Sequence, residues 1–141
     1  MMATACRDGL SPQDILGHYM LVRVDSASLP AVFDETPTLV RRVISDFFEI
    51  DTPTKATEHR TLEVEDLTAG TVAQQFSHSD YAVRTTGSRI ELYYICPPNA
   101  LCSADIAPLV AERTADGLRI TGGHQSHTLF YHRVAVLSLP H

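Results

Sequence analysis

"LGHYMLVRVDSASLP", residues 16–30, opens with a glycine two places ahead of a tyrosine and runs into an alternating stretch that ends at Leu29-Pro30. On an extended chain Tyr19, Leu21 and Arg23 share one side, and Met20, Val22 and Val24 share the other. Glycine at the start of such a strand lets the backbone bend sharply and lets an aromatic ring lie close to the main chain. Just upstream, Ser11-Pro12-Gln13-Asp14 places a capping residue before a proline at a first helical position, and Gly17 ends that turn after Ile15 and Leu16. The stretch therefore reads as a short helical turn, a bend and a first strand.

Everything downstream prefers strand. Segments 18–24, 38–50, 57–65, 71–77, 80–86, 89–95, 106–114, 118–122 and 128–137 are rich in Val, Ile, Thr, Tyr and Phe, with Gly, Pro, Asp and Ser between them. Two hairpins can be read in register. "YAVRTTGSRIELYY" (81–94) turns at Gly87-Ser88, which sets Tyr81 across from Tyr94, Val83 from Leu92 and Thr85 from Ile90, with Arg84 facing Glu91 on the other side. "LVAERTADGLRIT" (109–121) turns around "TADG", with Leu109, Ala111, Leu118 and Ile120 on one face and Glu112 opposite Arg119. Alternation of this kind means an antiparallel sheet with one wet side. Eight or nine closely spaced strands suggest a meander closed into a barrel, or a sandwich, and closure would remove exposed edges.

Gly17-x-Tyr19 on the first strand, "LVRVDSASLP" after it, and "TLFYHR" near the end together resemble the lipocalin-like proteins of the calycin superfamily, small bacterial members above all. The resemblance spans about residues 14–136 and rests on Gly17, Tyr19 (where the family pattern has tryptophan) and Arg133. It implies an all-β, single antiparallel up-and-down barrel of about eight strands with a short N-terminal helical turn. Residues 1–13 would be an N-terminal extension and 14–141 the barrel domain. It also implies that Tyr19 plugs the closed end and that Arg133 packs over it, a contact of roughly 0.5–2 kcal/mol by cation–π attraction.

Composition excludes several classes. The chain has 141 residues, 44% of them hydrophobic, which suffices for one domain with one core. A net charge of −6 argues against nucleic acid, whose phosphates need clustered Lys and Arg; Lys55 is the only lysine. No apolar run reaches membrane-spanning length and none near the N-terminus resembles a signal-peptide core, so the expectation is a cytoplasmic protein without a membrane partner. Cys96 and Cys102 bracket the turn "CPPNALC" and read as structural, either bonded or, in a reducing cytoplasm, free. No second ligand pair stands beside them for zinc, and His124, His127 and His132 do not share a strand face at useful spacing, so no metal is expected. Nor is there a glycine-rich phosphate loop or a Gly-x-Ser-x-Gly nucleophile, so no cofactor is expected either.

What remains is the barrel interior. Parity places Tyr19, Leu21, Val40, Ile44, Phe48, Leu92 and Phe130 or Tyr131 inward as candidate ligand-binding residues, with Tyr81 and Tyr94 beside them. Arg23, Arg42 and Asp46 share those parities, whereas Glu58, Glu63, Glu65 and Asp66 read as a solvated acidic strand and turn. Apolar walls with a few fixed polar groups suit a small hydrophobic molecule, which is the expected partner. A second reading is a cofactor-independent cyclase or isomerase of a bacterial natural-product pathway, because barrels of the resembled class host cyclisations of the Diels–Alder type. Such reactions draw on positioning and on hydroxyl or guanidinium donors, and Tyr94, Tyr81, Arg23 and Arg42 are the candidate catalytic residues. The outward stripe Met20, Val22 and Val24 offers a surface for a homodimer.

Overall fold

The structure, a computed structural model, describes residues 15–102, 106–122 and 126–134. Its strands are β1 (Gly17–Val24), β2 (Ala27–Ser28), β3 (Ala31–Glu35), β4 (Leu39–Thr52), β5 (Lys55–Asp66), β6 (Thr71–Thr86), β7 (Arg89–Tyr94), β8 (Leu109–Arg113), β9 (Gly117–Gly122) and β10 (Leu129–Val134). From β4 to β10 each strand pairs antiparallel with the next, and β1 pairs with both β10 and β4, so eight strands close into an up-and-down barrel. The two short strands β2 and β3 hang on β1 and β4 respectively. This is the fold class expected from the sequence. The helical turn and the extension expected over residues 1–14 lie outside the described residues.

Both hairpins form as read: Tyr81 pairs with Tyr94, Val83 with Leu92 and Arg84 with Glu91, and Glu112 lies opposite Arg119, 2.6 Å apart. Segments 71–77 and 80–86 are one strand rather than two. An unbroken ladder from Lys55–Ala82 to Asp66–Thr71 ties β6 to β5 and keeps Ser77–Asp80 extended. Strand β3 was not among the expected segments. Its five residues stand between Pro30 and Pro37, and it exists because β4 supplies partners for it.

The end of the barrel near Gly17 is closed as the resemblance implies. Tyr19 is buried and its hydroxyl donates to the Ile15 carbonyl at 2.7 Å. The Arg133 guanidinium lies 5.7 Å from the Tyr19 ring centre and donates to the Leu16 carbonyl. Gly17 sits at φ +151°, and a β-carbon there would lie 2.8 Å from Arg133 Nε. Glycine is thus required twice, for the backbone angle and for the room that the arginine takes. Ile15, Phe48, Ile90, Leu118, Ile120 and Tyr131 fill the space beyond, each at most 1% exposed.

Two bulges reset which side chains face inward. In β1 the register shifts between Leu21 and Arg23, so Leu21 and Val24 are both buried while Arg23 is exposed. The outward stripe is therefore broken: Met20 is exposed, Val22 is half-buried and Val24 belongs to the core. In β4 the shift between Val43 and Ser45 puts Val43, Asp46, Phe48 and Ile50 inside together. Cys96 and Cys102 are joined by a disulfide in the β7–β8 connection. No helix among the described residues is long and apolar enough to cross a membrane.

Replacing Gly17 by alanine strains the backbone and crowds Arg133, and is expected to destabilise the protein by about 1–3 kcal/mol in urea unfolding. Part of that loss should vanish when Arg133 is also alanine, since the crowded atom is then gone. Full additivity of the two substitutions would show that the glycine and the arginine do not interact.

Candidate functional site

Residues Ala56, Glu58, Arg60 and Leu62 alternate along the inward face of β5, two charged groups between two apolar ones. Their neighbours make the charges tolerable. Arg60 donates from Nε to Asp46 Oδ2 at 2.6 Å and from Nη2 to Glu58 Oε2 at 2.8 Å. The Tyr81 hydroxyl donates to Glu58 Oε1 at 3.1 Å. Asp46 is fully buried and Glu58 is 5% exposed, so one guanidinium is flanked by two carboxyl groups away from water.

One cation lies between two carboxyl groups, which disfavours ionisation of both. Burial holds the Asp46 carboxyl well above the usual carboxylate range; the neighbouring Glu58 carboxyl group pushes the same way, and Arg60 opposes them. For Arg60, burial alone would lower the value, but Glu58 and Asp46 more than reverse it and it stays charged. Tyr131, directly beneath, is raised by burial and then by Asp46, and Tyr81 by burial and then by Glu58. Asp46 Oδ1 and the Tyr131 hydroxyl are both buried without a partner of good geometry. Burial and the neighbouring carboxyl group thus favour the protonated form of Asp46, and Arg60 lies within hydrogen-bond reach of both carboxyl groups.

Above this layer lies a cavity of about 370 Å³, at the end of the barrel away from Gly17. Glu58, Arg60 and Tyr81 form its base, and Leu92, Tyr94, Leu109, Ile106 and Ala107 its apolar wall. Ser77 and Ser79 stand on the β6 side, and Phe33 from β3 covers the guanidinium of Arg60 at 4.7 Å. The β3 strand is held in place by His127, whose Nδ1 is 2.7 Å from Asp25 and whose other ring nitrogen meets the Phe33 carbonyl. Hydrogen bonding to Asp25 raises the His127 value first, partly offset by burial, with Phe33 and Asp34 adding to the rise.

Of the residues singled out from sequence, Tyr81, Leu92 and Tyr94 line the cavity together. Phe48 and Tyr131 are buried below it, the Phe48 ring 5.5 Å from Tyr81 and 5.6 Å from Tyr131. Tyr19 and Leu21 belong to the packed closed end. The remaining candidates lie away from the lumen. Arg23 stacks over Phe130 at 3.8 Å on the outer face, and Arg42 pairs with Glu63 and Glu65 outside. Val40 is buried but stands outside the main core cluster and the cavity lining, and Ile44 is the half-buried extra residue of the bulge. Parity counted through a bulge reverses at it, which is why Arg23 and Arg42 came out on the wrong side.

Glu58 stands as a correction to the solvated acidic face, since it points inward while Glu63 and Glu65 point out. The signal that separates them is the i, i+2 pair Glu58 and Arg60 between Ala56 and Leu62, an opposite-charge couple on an otherwise apolar face. Phe33, Ile106 and Ala107 carried no such signal, because only the chain path brings them over the opening.

Two titrations follow with opposite causes and the same sign. Asp46 binds its proton more tightly when folded, so its contribution is complete at low pH. That contribution fades as pH rises from about 4 through the raised value, by at most about 1.4 kcal/mol per unit. Thermal unfolding across that interval should show a shallower fall for Asp46→Asn than for the native chain; equal slopes would mean that folding does not raise the Asp46 value. The raised value of His127 likewise means stability present below about pH 6.5 and lost as pH climbs through the folded value. The advantage of the native chain over His127→Gln should therefore narrow above that point. No family model matches this chain, and neither does any curated protein or solved structure compared with it.

Proposed function

We propose that the barrel holds one small, mostly apolar molecule in the cavity above Glu58 and Arg60, as a lipocalin-like binding protein. The observation that carries this is the cavity itself: about 370 Å³, walled by Phe33, Leu92, Tyr94, Leu109, Ile106 and Ala107, with its polar groups confined to the base and one side. That volume falls in the range of small-molecule sites and gives room for roughly a dozen water-sized groups. Tyr19, Leu21, Phe48 and Tyr131 belong to the packed core cluster and do not line this cavity. The lipocalin-like reading is supported by the closed barrel and by the seating of Arg133 over Tyr19 beside Gly17.

The charge balance at the base favours a neutral ligand. Arg60 is already engaged by two carboxyl groups, which leaves no uncompensated cation for an anionic head group. The catalytic reading, a cofactor-free isomerase or cyclase, has one physical handle, the Glu58 carboxyl group at the cavity base. As to compartment, the Cys96–Cys102 disulfide weighs against the cytoplasm expected from the sequence, because such bonds persist chiefly in oxidising surroundings.

The test is titration with the neutral fluorescent ketone Prodan. One dye per chain with blue-shifted emission is expected, and Ser79→Trp, which puts an indole into the cavity from the β6 wall, should weaken binding at least about tenfold. Emission that stays at its value in water, or binding unchanged in Ser79→Trp, would place any ligand elsewhere.

A further inference from the structure

We propose that Glu58 is a general base for carbon acids: it removes a proton from the carbon beside a carbonyl group in a small neutral ligand and returns it elsewhere on the same molecule. The proposal rests on the cavity reading above and names the substrate class, a mostly apolar β,γ-unsaturated ketone.

Glu58 is the one carboxylate among the described residues that line the cavity. Both of its oxygens are held, one by Arg60 and one by Tyr81, so the group is aimed and not free to swing. Each carboxylate oxygen has capacity for a further partner, and Glu58 is part of the cavity lining. Phe33, Leu92, Tyr94 and Leu109 supply the apolar part of that lining. The second carboxyl group explains why an arginine beside the base does not hold it idle. Asp46 lies behind Arg60 with its own bond to the guanidinium, so the cation is shared between two partners. When Glu58 takes up the ligand's proton, the negative charge passes to the ligand oxygen, and Arg60, still bonded to Asp46, balances it across the layer. Asp46 does not touch the cavity and is a positioning residue.

The step balances without a co-reactant. The Glu58 carboxylate takes the proton from the α-carbon, and the C–H electron pair forms a carbon–carbon double bond as the carbonyl pair moves onto oxygen. Hydroxyl donors on the cavity wall, Tyr94, Ser77 and Ser79, are the groups placed to hydrogen-bond that oxygen. Protonated Glu58 then delivers the same proton to a different carbon, the oxygen pair re-forms the carbonyl, and the double bond has moved. No electrons are gained or lost, and no metal or nucleotide takes part.

The experiment uses a carbon acid whose deprotonation is visible and irreversible. In 5-nitrobenzisoxazole the base takes the C–H proton, the C–H pair completes a nitrile, the N–O bond breaks and a yellow nitrophenolate leaves. The folded protein is expected to accelerate this elimination over buffer by roughly a hundredfold, and the compound should displace Prodan. Glu58→Gln should fall to the buffer rate while still binding Prodan. Asp46→Asn should retain turnover with a displaced pH–rate midpoint, an effect that a purely structural role would not give. Ser79→Trp, which leaves the charged layer intact, should lose turnover along with binding, and it serves if Glu58→Gln does not fold. Displacement of Prodan without elimination, or elimination surviving in Glu58→Gln or Ser79→Trp, would overturn the base assignment and leave the binding reading standing. A native protein that neither binds Prodan nor turns over the probe would remove both.

Discussion

The barrel depends on one strand finding two partners that are remote in sequence. Tyr19 of β1 pairs with Arg133 of β10 on one side and with Phe48 of β4 on the other. Until β1 is in place, the sheet from β4 to β10 has two free edges and its inward face is open to water. Closure satisfies those edges and buries Phe48, Tyr131, Ile90 and Leu118 in the same event. The contact that secures it is compact: Arg133 over Tyr19, with a glycine at position 17 because the guanidinium occupies the space of a side chain. The cavity over Glu58 and Arg60 lies away from this contact.

The charged layer at the base of that space does not follow from stability. Burying Asp46, Glu58 and Arg60 removes three ionisable groups from water, and a hydrophobic trio of similar size would serve a folded barrel as well or better. The orphaned Asp46 Oδ1 and Tyr131 hydroxyl add to that expense. Polar groups that the fold does not need, set directly beneath an apolar cavity, are what distinguishes a site from a core. Their arrangement is also rigid. Phe33 lies over Arg60, Tyr81 ties Glu58, and the Phe48 ring separates the layer from the packing below. The roof is the less firmly held part, since β3 is one short strand tethered through His127 and Asp25.

Alternating apolar residues and the turns at Gly87-Ser88 and around Asp116 were enough to set the pairing from Tyr81 to Ile120, including Glu112 across from Arg119. Local pattern determines local register, because side chains two apart must share a face and a short turn permits few alignments. The same logic, helped by the family resemblance, placed Gly17, Tyr19 and Arg133 at one closed end, and it brought Tyr81, Leu92 and Tyr94 to the cavity.

It failed where the count crossed a bulge. Arg23 and Arg42 were one residue out of phase with the inward face, and nothing in "LVRVD" or "LVRRVISDF" marks the extra residue in either strand. A bulge forms where neighbouring strands of a curved sheet demand it, so it belongs to the tertiary structure. The roof from Phe33, Ile106 and Ala107, the β3 strand and the sharing of Arg60 between Asp46 and Glu58 are of the same kind. Each depends on which distant segments closure sets side by side. Sequence by itself determined an all-β chain with a plugged end and an aromatic interior; the tertiary structure alone decided that its buried charges meet under a cavity, because charges fourteen residues apart, as Asp46 and Arg60 are, become partners only when the strands that bear them are laid together.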